Sequence, residues 1–313
     1  MPEPAPIPPA ANATGGQADG TLSLGIALML CFSLAAPGID LFAKLAVQTI
    51  PAAEVGMARF TVQALLLLPI IWVRGLFSPL PITIVLLHAL RGVLIAVATT
   101  AFVLALKYMP IADAIAIFFV EPLILTLLSA VILGEKVGWR RTLACAAGFL
   151  GALIVVQPSF STLGWVAALP LVTALTFAFY LLLTRKLAQG EHPLVMQTYA
   201  GFSAAAFVGL VLILGQGSGS DIFDPVMPTL REAALMLGVG VMATASHLFL
   251  VYALRHAPAS TLAPLQYLEI VAATGLGYLV FGDFPSLSKW VGIAIIVGAG
   301  LFVIHRERAR QSA

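Results

Sequence analysis

Long apolar runs separated by short polar stretches dominate the chain. Ten runs have the length expected of membrane-crossing helices, and they occupy residues 22–43, 53–73, 82–106, 111–133, 140–157, 164–184, 193–215, 231–254, 259–281 and 288–305. A hydrocarbon core of ~30 Å requires about 20 apolar residues in a helix, and each run comes close to that length. The pattern therefore predicts an all-α integral membrane protein with ten transmembrane helices, which we number predicted helices 1 to 10.

Composition supports this class and excludes others. The chain is 60% hydrophobic and only 10% charged, with a mean hydropathy of +1.03, whereas soluble domains carry about 25% charged residues. The net charge of +2 and the lack of a Lys/Arg-rich tract give no reason to expect a nucleic-acid partner. Cys31 and Cys145 lie inside apolar runs without the spacing of metal ligands, so neither a metal nor another cofactor is predicted.

The chain ends and the basic residues predict an orientation. Residues 1–20 are rich in Pro, Ala and Gly and contain no Lys or Arg, which predicts a disordered cytoplasmic tail that is not a cleaved signal peptide. With this end inside, ten of the Lys and Arg residues outside the spans lie on the cytoplasmic side and four lie on the other side. This excess predicts a multi-pass protein of the cell inner (plasma) membrane with both termini, including the tail at 307–313, in the cytoplasm.

An internal similarity divides the chain into two halves. The sequence ALKYMP at 105–110 recurs as ALRHAP at 253–258, and the same offset of 148 residues pairs Glu121 with Glu269. The Gly-Glu pair that closes predicted helix 4 is matched at this offset by a Gly-Asp pair.

The halves are predicted to be inverted copies of one five-helix unit. Their boundaries fall at 21–157 and 158–306. Five is an odd number, so the second unit crosses the membrane in the opposite sense to the first. Inverted repeats are typical of secondary transporters, whose substrate site lies near the membrane midplane where the repeats meet.

At this point the sequence resembles the EamA-type members of the drug/metabolite transporter superfamily. The resemblance is carried by ALKYMPIADAIAIFFVEPLILTLLSAVILGEKVGWRR and the glycine-rich AAGFLGALIVVQP that follows it. The family pattern has small residues that open helix 4, a Glu-Pro in its middle and a Gly-Glu at its close. The second half departs from it, with LEI in place of Glu-Pro and GDF in place of Gly-Glu. The resemblance extends over residues 20–305.

The resemblance implies a secondary transporter, not an enzyme, that works by alternating access. The substrates of such proteins include amino acids, vitamins such as riboflavin, nucleoside-like metabolites and drug-like solutes. It also implies a central cavity lined mainly by predicted helices 3, 4, 8 and 9, with contributions from 1 and 6. The expected partners are a small-molecule substrate and the lipid bilayer. Proton coupling, the direction of transport, and a monomer or a homodimer all stay open.

A different class of function is an integral membrane enzyme or an accessory subunit of a membrane complex. The inverted repeat and the lack of a catalytic cluster at either membrane face count against it. The segment GVGVMA imitates a dinucleotide-binding fingerprint, but it lies in an apolar run without the strand and turn that such a site requires.

Two glutamates in the apolar interior are the main candidate site residues. Glu121 and Glu269 lie near the middle of predicted helices 4 and 9, where an ionisable group is expensive and normally faces a cavity or a partner. Phe118 and Gln266 lie three residues before them on the same helix faces, and Tyr267 adds an aromatic ring. These five residues are predicted to bind substrate or couple protons; a structural clamp for the two carboxyl groups is the alternative.

Four further ionisable residues inside predicted spans are candidates for a functional role. Arg91 and His247 are candidates for the same cavity, although Arg91 could instead extend to the lipid headgroups and His247 could be an ordinary hydrogen-bonded histidine. Asp40 and Arg59, on predicted helices 1 and 2, are expected to form an ion pair that acts as an outer gate or as a static brace.

Prolines interrupt four apolar runs. Pro37, Pro122, Pro170 and Pro264 each remove a backbone hydrogen bond and predict helix bends. The four lie on predicted helices 1, 4, 6 and 9, which are equivalent in pairs under the repeat. Bends there would allow one half to rock against the other; the alternative is that proline is simply common in membrane helices.

Overall fold

The computed structural model describes residues 13–76, 79–109, 111–135, 137–156, 164–220, 222–281 and 287–311, and within them all regular structure is helical. A 3₁₀ turn, Gly164–Ala167, leads directly into α7. The α-helices in chain order are α1 Ala13–Ala46, α2 Ala52–Val73, α3 Ile82–Tyr108, α4 Ile111–Phe118, α5 Glu121–Ile132, α6 Trp139–Val156, α7 Ala168–Leu187, α8 Pro193–Gly215, α9 Leu230–His256, α10 Ala259–Gln266, α11 Glu269–Phe281 and α12 Leu287–Gln311.

Six of these helical segments are long and apolar enough to cross a membrane, as judged by length and composition within the described residues. They are Thr21–Ala46, Ala52–Val73, Ile82–Tyr108, Trp165–Leu187, Pro193–Gly215 and Leu230–His256. Glu121–Ile132 and Trp290–His305 are shorter apolar helices. The predicted class, an all-helical protein with several membrane-spanning segments, is therefore confirmed.

Two of the ten predicted spans are not single helices. The run at 111–133 is divided into α4 and α5, and the run at 259–281 into α10 and α11. Each break comprises two residues, Phe119 and Val120 in the first and Tyr267 and Leu268 in the second. The breaks are 148 residues apart, which is the offset of the repeat.

Backbone hydrogen bonding explains the breaks. Pro122 has no N–H to donate and is the second residue of α5, two positions after the first break. At the second break, the N–H groups of Leu268 and Ile270 bond three residues back, to Leu265 and Tyr267, at 3.1 Å each. Such tighter turns interrupt the α-helical pattern. Backbone polar groups that leave helical pairing are tolerated at membrane depth only inside protein or beside a cavity.

The other prolines occupy different positions in their helices. Pro37 lies within α1 and Pro264 within α10. Pro170 is the third residue of α7, just after the 3₁₀ turn. The bends at these three positions stay a prediction, whereas Pro122 coincides with an interruption of the helix.

Long helices pack against one another in pairs. α1 lies along α9, α3 lies along both α7 and α8, α2 lies along α8 and α9, and α6 lies along α12. The α3–α8 contact requires a glycine, because a Cβ atom at Gly92 would lie 2.1 Å from Ser203 Oγ and 2.9 Å from the backbone nitrogen of Ala204. Small residues that allow such close approach are a normal basis of helix association in lipid.

Candidate functional site

A central cavity of about 90 Å³ lies between the two helix breaks and the surrounding long helices. One water needs about 10–15 Å³ by this measure, so the cavity has room for several. Its walls come from α1, α2, α3, α4, α7 and α9, and from the end of α10 and the start of α11. The polar side chains on its walls are those of Asp40, Arg59, Thr99, Thr173, His247, Gln266 and Glu269.

Most of the wall is apolar, and four phenylalanines contribute rings. Phe118 lies edge-on to Phe102 and Phe177, with ring centres 5.7 Å apart in both pairs. Phe32 and Phe177 each lie 6.0 Å from the ring of His247. The cavity therefore combines ionisable groups with aromatic faces, as small-molecule sites commonly do.

This cavity is lined by six of the candidate residues that the sequence predicts. They are Asp40, Arg59, Phe118, His247, Gln266 and Glu269. Three other nominated residues, Arg91, Glu121 and Tyr267, are not part of its walls. Thr99 and Phe177 belong to the site but were not nominated. Thr99 is recognisable as a polar residue within an apolar run, whereas nothing in the sequence distinguishes Phe177 from the other phenylalanines.

Arg59 is oriented by neutral partners. Its guanidinium donates to the Thr99 hydroxyl, and its second terminal nitrogen lies 2.7 Å from Nε2 of His247. A guanidinium offers only donors, so Nε2 accepts and the proton of the neutral imidazole is on Nδ1. The Arg59 Nε is buried without a hydrogen-bond partner. Within the described part of the chain, Arg59 forms no ion pair with Asp40. The structure thus differs from the predicted pairing because Thr99 and His247 turn the guanidinium towards α3 and α9.

Arg91 is held inside the bundle rather than in the cavity wall. Its side chain is fully buried and donates to Thr184 Oγ1 at 2.9 Å, to the Met196 carbonyl at 3.0 Å and to Gln197 Oε1 at 3.1 Å. The guanidinium also stacks 5.0 Å from the ring centre of Tyr180. These contacts connect α3 to α7 and α8, so Arg91 joins helices, in contrast to the predicted cavity role.

Glu121 lies behind the cavity wall. Its side chain is fully buried, and neither carboxyl oxygen has a hydrogen-bond partner among the described residues. The amide of Gln266 is a polar neighbour, so Glu121 approaches the cavity through Gln266. Its counterpart Glu269 lines the cavity directly and retains 9% exposure. The two glutamates, which the predicted repeat pairs, therefore differ in position: Glu269 lines the cavity and Glu121 lies behind its wall.

Tyr267 connects the two helix breaks. Its hydroxyl donates to the Phe119 carbonyl at 3.0 Å, and the two rings lie edge-on with centres 5.4 Å apart. The ring also packs on α6, where a Cβ at Gly148 would come within 2.3 Å of it. Tyr267 is fully buried, so it braces the cavity from behind.

One end of the bundle is closed by Glu135. Its carboxylate accepts hydrogen bonds from the backbone of Ala259 at 3.1 Å and from the backbone and hydroxyl of Ser260 at 3.0 and 2.7 Å. Arg185 lies 3.5 Å from the same carboxylate. We call these four residues the Glu135 contact. A carboxylate at the start of α10 is favoured by the free N–H groups and the dipole of that helix.

The opposite end of the bundle has a related contact. Lys44 donates to the carbonyls of Leu106 at 2.5 Å and Met109 at 3.2 Å, at the end of α3. At the Glu135 end, Arg185 donates to the carbonyl of Leu254 at 2.6 Å, near the end of α9. Leu106 and Leu254 are 148 residues apart, which is the offset of the predicted repeat, so the two basic residues bind carbonyls that this repeat pairs.

Apolar helices arranged around a buried cavity with a few ionisable groups are typical of membrane transporters, and similarity to known proteins establishes both the class and the family. The sequence model of the EamA-like transporter family matches residues 23–157 and 164–305. The chain therefore belongs to the EamA-like transporter family of the drug/metabolite superfamily. It is a transporter of small metabolites and not an enzyme, as the sequence predicted.

Named relatives cover most of the chain. A riboflavin transporter of Rhizobium johnstonii is 33% identical over 72% of each chain. An S-adenosylmethionine uptake transporter of Rickettsia bellii is 26% identical over 93% of this chain and 97% of its own. A pseudopaline exporter of Pseudomonas aeruginosa is 29% identical over 89% of this chain and 95% of its own. A solved crystal structure aligns with a TM-score of 0.73 over 92% of this chain and 99% of its own, at 19% identity, which shows a shared fold.

Proposed function

We propose that this protein is a secondary transporter that carries a small organic metabolite across the inner membrane by alternating access. The observation that carries the proposal is the central cavity, where charged side chains from both halves meet at two helix breaks. In secondary transporters, broken helices at the repeat interface are the usual substrate site. Asp40, Arg59, His247, Gln266 and Glu269 are the proposed solute-facing polar residues.

Ten spans in two inverted repeats, 21–157 and 158–306, are part of this proposal. Helix pairing supports it. In the proposed repeat, α1, α2 and α3 correspond to α7, α8 and α9. The α1–α9 pair then corresponds to the α7–α3 pair, and the α2–α9 pair to the α8–α3 pair, and all four pairs are in contact. The α2–α8 and α6–α12 pairs exchange into themselves. Such a pattern is expected when two copies of one unit pack around a shared two-fold axis.

Alternating access requires one end of the bundle to open as the other closes. We assign the Glu135 contact to the cytoplasmic closure, because it joins the end of α5 in the first half to α7 and α10 in the second. The basic residues of the sequence favour this orientation, with both termini inside. The Lys44 contact belongs to the outer end. Asp40 and Arg59 face the same cavity, and their pairing in another conformation would serve as a gate.

Reconstituted flux tests this function. The full-length protein is reconstituted into liposomes that are loaded with S-adenosylmethionine or riboflavin, the solutes named for its relatives. Exchange of the labelled compound across the membrane is then followed with and without a pH gradient. Saturable exchange above protein-free liposomes is expected for at least one solute or a close analogue. A folded, correctly inserted protein without exchange of any such metabolite would refute the proposal. Acceleration by the pH gradient would identify protons as the coupling ion.

A further inference from the structure

The cavity walls carry ionisable groups of both signs that are not hydrogen-bonded to one another among the described residues. Arg59 supplies a guanidinium, and Asp40 and Glu269 supply carboxyl groups. Within the described residues, none of these three groups forms an ion pair with another. Arg59 is 6% exposed and Glu269 9% exposed, so both are largely withdrawn from water. A buried charge is stable only with a counter-charge or several hydrogen bonds.

Arg59 is only partly satisfied by the protein. Its terminal nitrogens reach Thr99 and His247, both neutral acceptors, while Nε has no acceptor. A guanidinium keeps its positive charge under all physiological conditions and binds carboxylates in preference to neutral groups. Arg59 is therefore prepared for the acidic group of a bound solute.

The carboxyl groups on the same walls complement a positive charge. Neither Asp40 nor Glu269 has a hydrogen-bond donor among the described residues. A purely anionic solute would leave these carboxyl groups without a partner, and a purely cationic solute would do the same to Arg59. An uncharged ring system would leave all three groups, Arg59, Asp40 and Glu269, without a charged partner. The apolar remainder of the wall, with Phe102, Phe118 and Phe177, suits a hydrophobic or aromatic body.

We propose that the cavity selects zwitterionic solutes, with a carboxylate at Arg59, an ammonium or similar cation at Asp40 and Glu269, and an apolar or aromatic body against the phenylalanine rings. The inference rests on the proposed transport function and names its substrate class. It favours solutes with an amino-acid head over uncharged flat solutes.

A matched ligand series tests the selectivity. Phenylalanine has both charges, phenethylamine lacks the carboxylate, and 3-phenylpropanoate lacks the ammonium; all three share one ring. Tryptophan and S-adenosylmethionine serve as larger zwitterions and riboflavin as an uncharged probe. Binding to the purified full-length protein is measured by calorimetry. At least one zwitterion should bind about tenfold or more tightly than either single-charge analogue and riboflavin, because each charge-assisted hydrogen bond is worth about that factor or more. Equal or weaker binding of all three zwitterions overturns the inference.

Variants connect the selectivity to named side chains. Arg59→Gln should reduce the preference for phenylalanine over phenethylamine to less than about threefold, and Glu269→Gln should reduce its preference over 3-phenylpropanoate. Arg59→Lys retains the charge and should retain most of the preference, which separates charge recognition from loss of the fold. Unchanged preferences in folded Arg59→Gln and Glu269→Gln proteins count against the inference.

The outcome for the substrate class is separable from the outcome for transport. Exchange of riboflavin in liposomes without binding of any zwitterion would leave the transport proposal intact and reject the zwitterion. Failure of every solute to exchange, with the protein folded and inserted, would reject transport itself.

Discussion

The hydroxyl of Tyr267 donates a hydrogen bond of 3.0 Å to the backbone carbonyl of Phe119, and the two residues are 148 positions apart in the chain. This separation equals the offset of the internal repeat that the sequence predicts, which pairs Phe119 with Tyr267. Both lie in helix breaks. The bond therefore fastens one interrupted helix to its counterpart directly behind the cavity.

Tyr267→Phe removes this bond while preserving the ring. The variant should lose about 0.6 kcal/mol of stability and at most about 1.7 kcal/mol, the average and the largest value from double-mutant cycles on hydrogen bonds between membrane helices. Its transport rate should change because the two breaks are no longer joined. Thermal unfolding in detergent and flux in liposomes measure the two effects. Tyr199→Phe is the matched control, because the Tyr199 ring stacks on His88 but its hydroxyl has no partner in the described structure. Equal effects of the two substitutions would contradict the proposed link.

Glu135→Gln should weaken the closure at its end of the bundle. The amide keeps the size of the side chain but loses the charge that faces Arg185 and the start of α10. A cysteine replacing buried Ala263, between this closure and Gln266 on the cavity wall, should then react several-fold faster with a water-soluble maleimide. The native cysteines are first replaced. Glu191→Gln is the control at the same end, since the Glu191 carboxylate has no described partner. Unchanged labelling in Glu135→Gln would rule out a closing role.

Gly134→Ala tests whether the backbone conformation at Gly134 positions Glu135 for the Glu135 contact. Gly134 has a φ of +66°, a conformation that costs a residue with a Cβ roughly 1 kcal/mol or more. The substitution should lower the melting temperature and increase labelling at position 263 as Glu135→Gln does. Gly275→Ala is the contrasting control. Gly275 lies in α11, and a Cβ there meets no atom of the described residues within 4 Å, so the stability of that variant should be unchanged or higher. An unchanged melting temperature of the Gly134→Ala variant would show that the conformation of Gly134 is not needed to position Glu135.

Arg91→Gln should damage stability and leave solute affinity intact. Several hydrogen bonds from a buried guanidinium would be lost, at about 1.5–3 kcal/mol for each bond to a charged group before relaxation, so a loss of at least about 2 kcal/mol is expected. The KM of the protein that remains folded should not change. Arg231→Gln, at the exposed start of α9, is the control for charge removal. A raised KM with normal stability would place Arg91 in solute binding.

Glu121→Gln and Glu269→Gln should separate the two glutamates. Glu269 lines the cavity, so its substitution should raise KM for the transported solute by about tenfold or more, since an ionic hydrogen bond is lost. Glu121 lies behind Gln266, so its substitution should affect turnover or stability with a smaller effect on KM. Initial rates of flux at several solute concentrations provide the comparison. Equal increases in KM would show that both carboxyl groups reach the solute.

Much of the site could be nominated from the chain itself, because polar groups are conspicuous in apolar runs. Asp40, Arg59, His247, Gln266 and Glu269 were found in this way, and the structure gathers them around one cavity. The same criterion also selected Arg91 and Glu121, which are not among the residues that line this cavity. A polar residue in the membrane interior must face protein or water, but the sequence does not say which.

The sequence by itself determined the all-helical, membrane-spanning class of the protein and the places of its long apolar segments, and it predicted the offset of 148 residues that relates the two helix breaks. These features depend on local hydrophobicity, on proline and on repeated spacing, all of which are properties of the linear chain. Only the tertiary structure decided that Arg59 turns to Thr99 and His247 rather than to Asp40, that Arg91 joins helices, and that Tyr267 ties the two breaks together. Those outcomes depend on which helices pack side by side and on how each side chain satisfies its hydrogen bonds once water is excluded.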